Sequence, residues 1–277
     1  MAPTSIDLDA YAARLGVRFE AKPTLETLAA LQFAHVAAIP FENLSPLLGE
    51  PVRLDPASLT EKLVEGRRGG WCFEHNLLFA HVLRTIGFDV QTLAARVRWN
   101  VAPDVQTPRS HCLLLVTVEG AQYIADVGFG GLTLTSPLRL AEGEQETPHE
   151  PHRLVQSGET FALEAKVAGE WQRLYVFDLV PAVQADYEVS NWYLAHHPDS
   201  QFVKGLIAAR ADTDRRHALR NARYAVHHRD GRTERRFIED VADFRAVLAD
   251  AFHIPLPEGT RLNSTLQRIL DDSRLSP

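Results

Sequence analysis

The chain has 277 residues, 45% of them hydrophobic, and is therefore long enough to bury a substantial core. Its 29 Lys and Arg residues against 36 Asp and Glu residues give a net charge of −7, which argues against electrostatic binding to nucleic acid or anionic lipid. A small molecule is the expected partner. The N-terminus lacks a basic region followed by an apolar one, and no apolar run approaches the ~20 residues that span a bilayer, so we expect a cytoplasmic protein without membrane contact.

Cysteine usage argues against two further classes of protein. Only Cys72 and Cys112 occur, which is too few for a disulfide framework, and the C-x-x-C spacing of many metal sites is absent. We therefore expect reduced thiols and no metal.

The first 87 residues have the periodicity of a helical bundle. Apolar residues recur at helical spacing, and Pro40, Gly66 and Gly87 supply stop signals between the segments. Helices are predicted over residues 7–20, over 23–38, after the Asp55 cap to about Glu65, and over 72–86, with a loop or short turn over 40–43. Residues 1–87 are the first predicted domain.

From Phe88 the hydrophobic period changes from 3.6 to 2 residues, which is typical of strands. Strands are predicted over residues 90–97, 112–118, 122–127, 153–155, 161–167 and 171–177. The acidic segment 141–148 is predicted to be a solvated loop. Residues 88–190, the second predicted domain, should therefore form an antiparallel sheet or small barrel.

The last part of the chain, residues 191–277, mixes both patterns. A strand is predicted over 224–228, a turn over 229–232, and helices over 240–251 and 263–270. The third predicted domain is therefore a mixed α/β lobe.

Cys72 is the candidate nucleophile. Gly69 and Gly70 allow a sharp turn directly before it, and a run of helix-compatible residues follows. A cysteine at a helix start meets unpaired N–H groups and a partial positive charge, which favour the thiolate. The sequence thus predicts a reactive cysteine, which needs a base as partner.

The hairpin around Glu119-Gly120 indicates which of the 12 histidines is that base. If these two residues form the whole loop, Asp126 lies opposite Leu113, and His111 lies on the same face one diagonal step away. A carboxylate can then hold one imidazole nitrogen while the other faces a thiolate, which gives a Cys-His-Asp relay. A three-residue turn would place His111 and Asp126 on opposite faces.

Six motifs together resemble one known family, the arylamine N-acetyltransferases of bacterial type. They are Arg68-Gly69-Gly70-Trp71-Cys72-Phe73-Glu74, Pro40-Phe41-Glu42-Asn43, Ser110-His111, Asp126-Val127-Gly128-Phe129-Gly130, Asn191-Trp192-Tyr193 and His197-Pro198-Asp199-Ser200-Gln201-Phe202. They span nearly the whole chain. The resemblance implies an α+β fold with an N-terminal helical bundle, a central antiparallel β-barrel and a C-terminal α/β lid, with the Cys-His-Asp triad between the first two.

The resemblance also implies an activity. An acetyl group from the co-substrate acetyl-CoA would pass through a Cys72 thioester to an arylamine, arylhydrazine or arylhydroxylamine, with ping-pong kinetics. His111 would move protons in both half-reactions, and Asp126 would orient it. The positions that would contact the aryl ring or the CoA arm are Phe41, Val97, Ser110, Gly128, Phe129, Gly130 and Phe202. The family's structural ion pair would fall on Arg68 and Glu42.

The chain departs from the usual bacterial pattern beside the nucleophile. Trp71 stands where tyrosine is usual, and His75 stands where glutamine is usual. His75 lies three residues after Cys72, so it either competes as a base or packs in the bundle. Cys112 should point away from His111 and behave as a small buried hydrophobe.

Three alternatives to an acetyltransferase stay open at this point. An amide synthase that uses a carrier-bound acyl chain would share the fold, and a transglutaminase-like cysteine hydrolase would share the Cys-His-Asp order. An inactive binding module is disfavoured by the complete triad. His196, His197, His227 and His228 are interpreted as structural or surface residues, because adjacent histidines on a strand point apart.

Overall fold

The computed structural model describes residues 6–102, 104–256 and 259–275. The helices are α1 (Leu8–Leu15), α2 (Leu25–Ala38), α3 (Leu44–Leu47), α4 (Pro56–Leu59), α5 (Cys72–Ile86), α6 (Gln184–His196), α7 (Gln201–Lys204), α8 (Val241–Asp250) and α9 (Thr260–Leu275), with a π-helix over Thr60–Glu65. In the described part of the chain, no helix has the length and apolar character needed to cross a membrane.

The strands form two antiparallel sheets. The large sheet contains β2 (Asp89–Val97), β3 (Arg109–Val118), β4 (Ala121–Ala125), β5 (Leu138–Arg139), β6 (Gly143–Gln145), β7 (His152–Ser157), β8 (Thr160–Val167) and β9 (Glu170–Pro181). The small sheet contains β1 (Phe41–Glu42), β10 (Ile207–Ala211), β11 (Arg215–Arg220), β12 (Arg223–His228) and β13 (Thr233–Phe237).

The large sheet curls into a nearly closed barrel with strand order β5-β4-β3-β2-β9-β8-β7-β6. Its two edge strands are joined by one side chain: the Gln145 amide accepts a hydrogen bond from Arg139 N at 2.8 Å and donates one to Arg139 O at 2.9 Å. The prediction of a solvated loop over 141–148 is therefore wrong for residues 143–145. These residues form β6 because they find a partner in β7.

The predicted helix after the glycine pair is confirmed, because α5 runs from Cys72 to Ile86 and ends at Gly87, whose φ is 106°. Nearly all of this helix is buried, and Arg84 and Thr85 are its exposed residues. The first predicted helix is shorter than expected. Gly16 adopts a φ of 70° and closes α1 by bonding back to Ala13 O.

The segment 40–43 is not a simple loop as predicted. Phe41 and Glu42 form β1, which pairs with β10 of the small sheet, so the N-terminal region supplies an edge strand to the C-terminal lobe. Leu44, Leu47 and Leu48 likewise belong to the hydrophobic core of that lobe. Backbone partners that come from a distant part of the chain cannot be detected by local periodicity.

The buried apolar side chains of the described residues form three hydrophobic cores. One joins α1, α2 and α5 with one face of β2 and β3, one fills the barrel, and one lies between the small sheet, α8 and α9. Helix α6 crosses the predicted boundary between residues 190 and 191. The division of the chain at 87 and 190 remains a prediction.

Candidate active site

The cysteine loop lies tightly against the segment before β1. A methyl group on Gly69 would lie 2.1 Å from Pro40 O, so only glycine allows this approach. Gly70 N donates to Pro40 O at 3.3 Å, and Gly70 O accepts from Glu42 N at 2.8 Å. The glycine pair therefore fixes the backbone immediately before Cys72.

Cys72 is the first residue of α5 and is 6% exposed. The Glu74 side chain caps the N-terminus of α5, because its Oε2 accepts a hydrogen bond from Trp71 N at 3.0 Å. The Cys72 thiol donates to Ser110 O at a Sγ–O distance of 3.7 Å. The sulfur is thus held between the helix start and strand β3.

The two-residue hairpin loop is confirmed by the pairing of β3 with β4. Val118 lies opposite Ala121 and Leu114 lies opposite Ala125, which is the register that places His111 and Asp126 on one face. His111 Nε2 lies 2.7 Å from Asp126 Oδ2, and Cys72 lies close enough to His111 to raise the pKa of the imidazole. The structure therefore brings Cys72, His111 and Asp126 together.

The charge state of this trio follows from its contacts. Burial opposes a charge on His111, but the Asp126 carboxylate and Cys72 together outweigh it and raise the pKa of His111 to about 10. Burial also opposes a charge on Asp126, and His111, Asn76 and the Gly128 N–H lower the pKa of its carboxyl nonetheless. At neutral pH the imidazole is therefore a cation beside the sulfur.

Asn76 is a site residue to which the sequence interpretation gave no role. Its side-chain Nδ2 donates to Asp126 Oδ1 at 2.9 Å and to Cys112 O at 2.7 Å, and its Oδ1 accepts from Val127 N at 3.0 Å. It lies four residues after Cys72, so both side chains lie on one face of α5. That spacing is the signal that could have identified it.

Two aromatic groups lie beside the trio, one that includes Trp71, next to Cys72 in the chain, and one around His111. On one side the Phe41 and Phe202 rings lie 6.3 Å apart, and the Phe202 ring lies 5.2 Å from that of Trp71. The Trp71 indole N–H also donates to Asn191 Oδ1 at 3.1 Å. The loss of the usual tyrosine before the cysteine thus brings in an indole that ties the cysteine loop to α6.

On the other side Phe129 and Tyr175 enclose His111. The Phe129 ring lies 5.3 Å from both the His111 and Tyr175 rings, and the Tyr175 and His111 rings are 4.9 Å apart. Val97 is half-buried and pairs with Tyr175 across the sheet. Tyr175 is a second residue without a role in the sequence interpretation, because only the sheet register places it here.

The two glycines of the Asp126 loop allow close contacts within the protein. A methyl group on Gly128 would lie 2.8 Å from the Cys72 Cα, and one on Gly130, which has a φ of 87°, would lie 3.6 Å from the Phe41 ring. The loop therefore lies directly against both Cys72 and the Phe41 ring.

The predicted ion pair beneath the cysteine loop is confirmed. Arg68 Nε donates to Glu42 Oε1 at 2.9 Å, and Glu42 Oε2 accepts from Leu44 N at 2.6 Å. Burial opposes a charge on Glu42, but Arg68 and Lys62 outweigh it and lower the pKa of the carboxyl. The pair stabilises the junction of the cysteine loop with β1 and α3.

His75 packs in the bundle and has partners for both ring nitrogens. Its Nδ1 lies 2.8 Å from His35 Nε2 and its Nε2 lies 3.1 Å from Pro40 O. Cys112 is fully buried on the helical side of β3, as predicted. Within the described ranges, no group of three or more His, Cys, Asp or Glu residues has a geometry that could hold a metal ion.

Comparisons with known proteins identify relatives of this chain. The profile of an N-acetyltransferase family matches residues 24–261. The arylamine N-acetyltransferase of Mycolicibacterium smegmatis is 44% identical over 274 residues, which cover 96% of this chain and 99% of that protein. A Salmonella typhimurium relative, named arylamine N-acetyltransferase / N-hydroxyarylamine O-acetyltransferase, is 44% identical over 88% of each chain.

The fold agrees equally well with solved structures. The structure of Mycobacterium marinum arylamine N-acetyltransferase in complex with CoA superposes with a TM-score of 0.91 at 42% identity, covering 95% of this chain and 99% of that one. Sequence, fold and the residues around Cys72 all lead to one assignment: this chain belongs to the arylamine N-acetyltransferase family.

Proposed function

We propose that the protein is an acetyl-CoA:arylamine N-acetyltransferase that carries the acetyl group on Cys72. The observation that supports it most strongly is the 2.7 Å contact of His111 with Asp126 beside the Cys72 thiol at the start of α5. A cationic imidazole supplies the opposite charge that a thiolate needs, and the thiolate is the nucleophilic form of cysteine.

In the first half-reaction the Cys72 thiolate attacks the carbonyl carbon of the acetyl-CoA thioester. The carbon–sulfur bond to CoA breaks, a new one to Cys72 forms, and the His111 cation can donate its proton to the departing CoA thiolate. Asp126 keeps the imidazole oriented throughout. The products are free CoA and acetyl-Cys72.

In the second half-reaction the nitrogen of the acceptor attacks acetyl-Cys72. Neutral His111 takes the proton that the nitrogen loses, and Cys72 leaves as a thiolate beside the imidazolium. This restores the starting charges and predicts ping-pong kinetics. Arylamines, arylhydrazines and arylhydroxylamines are the proposed acceptors. The O-acetyltransferase activity in the Salmonella relative's name supports the last class, which would attack through its hydroxyl oxygen and pass that proton to His111.

The proposed catalytic residues are Cys72, His111 and Asp126. Flat rings suit a flat acceptor, so we assign the aryl and CoA contacts to residues on the strands and loops around Cys72 and His111. They are Phe41, Val97, Ser110, Gly128, Phe129, Gly130 and Phe202. We also propose the three lobes 1–87, 88–190 and 191–277 as the working domain division, and the cytoplasm as the location.

The test is to mix the protein with acetyl-CoA and an acceptor such as isoniazid and to measure free CoA. Release far above the level of a Cys72→Ala variant is expected, together with parallel lines in double-reciprocal plots. If free CoA never exceeds that control, the proposed function is wrong.

Two further assays separate the alternatives. A carrier-bound long acyl chain that reacts while acetyl-CoA fails would identify an amide synthase. Release of CoA that does not depend on the amine, with free acetate as the product, would identify a hydrolase. For an acetyltransferase, acetyl-Cys72 should persist until the amine is added.

A further inference from the structure

Beneath the active site, three buried side chains form a continuous hydrogen-bonded row. Tyr11 Oη lies 2.7 Å from His35 Nδ1, His35 Nε2 lies 2.8 Å from His75 Nδ1, and His75 Nε2 lies 3.1 Å from Pro40 O. All three side chains are fully buried. The row links α1, α2 and α5, and it ends on the segment that carries Phe41.

The last contact sets the direction of the whole row. A carbonyl oxygen can only accept, so His75 Nε2 carries the proton that bonds to Pro40 O. In a neutral ring His75 Nδ1 then accepts from His35 Nε2, and His35 Nδ1 accepts from the Tyr11 hydroxyl. Every donor and acceptor in the row therefore has one partner within it, and all the hydrogen bonds point in the same direction, from Tyr11 to Pro40.

Burial keeps both rings neutral. It lowers the pKa of His75 to about 4 and that of His35 well below its ordinary value. The charged groups that act on the row are Arg14, from α1, and Lys62 and Glu42, which lie near His75. Arg14 and Lys62 disfavour a further positive charge, and the nearby Glu42 does not outweigh burial.

His75 contacts the pocket wall in two ways. Its ring is stacked on that of Phe41, with centroids 6.4 Å apart and planes 5° apart. Its Nε2 bonds to Pro40 O, which also accepts from Gly70 N at 3.3 Å. One ring therefore supports the Phe41 side chain and the backbone to which the cysteine loop is attached.

We propose that His75 is a positioning residue that sets the acceptor pocket by fixing Phe41 and the Pro40 carbonyl, with Tyr11 and His35 holding it in the one tautomer that can do so. This inference rests on the proposed function, because the acceptor is the aryl substrate of acetyl-Cys72. His75 does not act on the reacting atoms, since both of its ring nitrogens are engaged elsewhere.

The kinetic test compares His75→Leu with His75→Gln. Leucine removes the donor to Pro40 O and the flat ring under Phe41, so KM for the aryl acceptor should rise roughly tenfold, as expected for the loss of one buried hydrogen bond and its packing. The rate of Cys72 acetylation, followed as CoA release without acceptor, should change by less than about twofold. Glutamine can donate to Pro40 O and accept from His35, so it should restore most of the acceptor KM.

His81→Leu is the matched control, because His81 is half-buried on the same helix nine residues from Cys72, roughly 13 Å along its axis. It should leave both half-reactions unchanged. If His75→Leu slows both half-reactions in the same proportion, or if glutamine restores nothing, His75 has only a structural role and the inference is overturned.

The tautomers provide a test that does not depend on activity. In the ¹⁵N spectrum of the labelled protein, with signals assigned through His35→Gln and His75→Gln, both rings should be neutral and protonated at Nε2. Tyr11→Phe removes the donor to His35 Nδ1 but leaves His75 Nδ1 as an acceptor, so His35 should stay protonated at Nε2 while its Nδ1 signal moves to that of a nitrogen without a hydrogen bond. A cationic His75, or one protonated at Nδ1, would overturn the inference. Absence of CoA release by the wild-type protein would overturn the proposed function and leave this spectral test unaffected.

Discussion

The side-chain amide of Asn76 donates a hydrogen bond over 2.9 Å to Asp126 Oδ1, and so joins the helix of Cys72 to the loop of the carboxylate. The same Asn76 nitrogen reaches Cys112 O on β3 at 2.7 Å. One side chain on α5 therefore fixes the relative positions of the helix, the strand after His111 and the Asp126 loop. The distance between the Cys72 sulfur and the His111 imidazole therefore depends on how α5 packs against the barrel.

Replacement of Asn76 tests this relationship. Asn76→Leu keeps the branched shape but removes the side-chain partner of Cys112 O and Val127 N and one of the two donors to Asp126 Oδ1, so kcat/KM should fall about 10- to 100-fold and stability by about 1–3 kcal/mol. Steady-state kinetics and thermal unfolding measure the two effects. Asn263→Leu, on the exposed face of α9, is the control and should change neither. Activity within twofold of wild type would show that Asn76 is not needed to hold α5, β3 and the Asp126 loop in their active positions.

The pH dependence of both stability and Cys72 acetylation follows from the pKa of His111. Its pKa is raised from 6.5 to about 10, so the stabilisation from the charged His111–Asp126 pair is fully present below pH 6.5 and is lost as the pH rises through about 10. The rate of Cys72 acetylation should fall over the same alkaline range, since the proton for departing CoA is then missing. A pH profile of CoA release measures this.

Asp126→Asn should move that alkaline limb to lower pH, because the carboxylate is the group that holds the proton on His111. The rate should also fall by about 10³- to 10⁴-fold, as for other triads that lose the orienting carboxylate. An alkaline limb that stays in place in Asp126→Asn would show that a different group titrates there.

Gly128 offers a steric test with a matched control three residues away. In Gly128→Ala the new methyl group meets the Cys72 Cα at 2.8 Å, whereas in Gly131→Ala it meets no atom within 4 Å. We expect Gly128→Ala to lose about 1–3 kcal/mol of stability and most of its activity, since the loop must move away from Cys72. Gly131→Ala should resemble wild type. Equal behaviour of the two variants in unfolding and CoA-release assays would contradict this packing.

The Arg68–Glu42 pair should matter for stability. Arg68→Met leaves Glu42 buried without its partner and should cost about 3–5 kcal/mol, which chemical denaturation measures. Adding Glu42→Gln to Arg68→Met should recover part of the loss, because the unpaired charge is removed. Arg67→Met, at the exposed neighbouring position, is the control. A loss below 1 kcal/mol in Arg68→Met would show that the pair contributes little.

The local features of the site could be predicted because they depend on neighbours in sequence. A glycine pair before a helix start identifies Cys72, and a two-residue hairpin sets the parity that places His111 and Asp126 on one face. Helix α5 was predicted with its observed bounds for the same reason: Gly87 stops it, and its residues favour a helix.

Long-range partners could not be predicted in this way. Strand β1 exists because Phe41 and Glu42 pair with β10, about 165 residues later, and β6 exists because β7 lies beside it. A strand of two or three residues has too few positions to show a period of 2. Tyr175 reaches His111 through the register of β9 with β2, which no single segment contains.

The sequence by itself determined the family and the two-residue hairpin, and it predicts the nucleophile, its histidine and aspartate partners and the three lobes. These depend on short spacings and on the hydrophobic period, which are properties of the chain before it folds. Only the tertiary structure decided how Asn76 holds the Asp126 carboxylate and how the row from Tyr11 through His35 to His75 reaches the pocket wall. Such hydrogen bonds join side chains up to 50 positions apart, and they form only where packing excludes water and brings each donor to its acceptor.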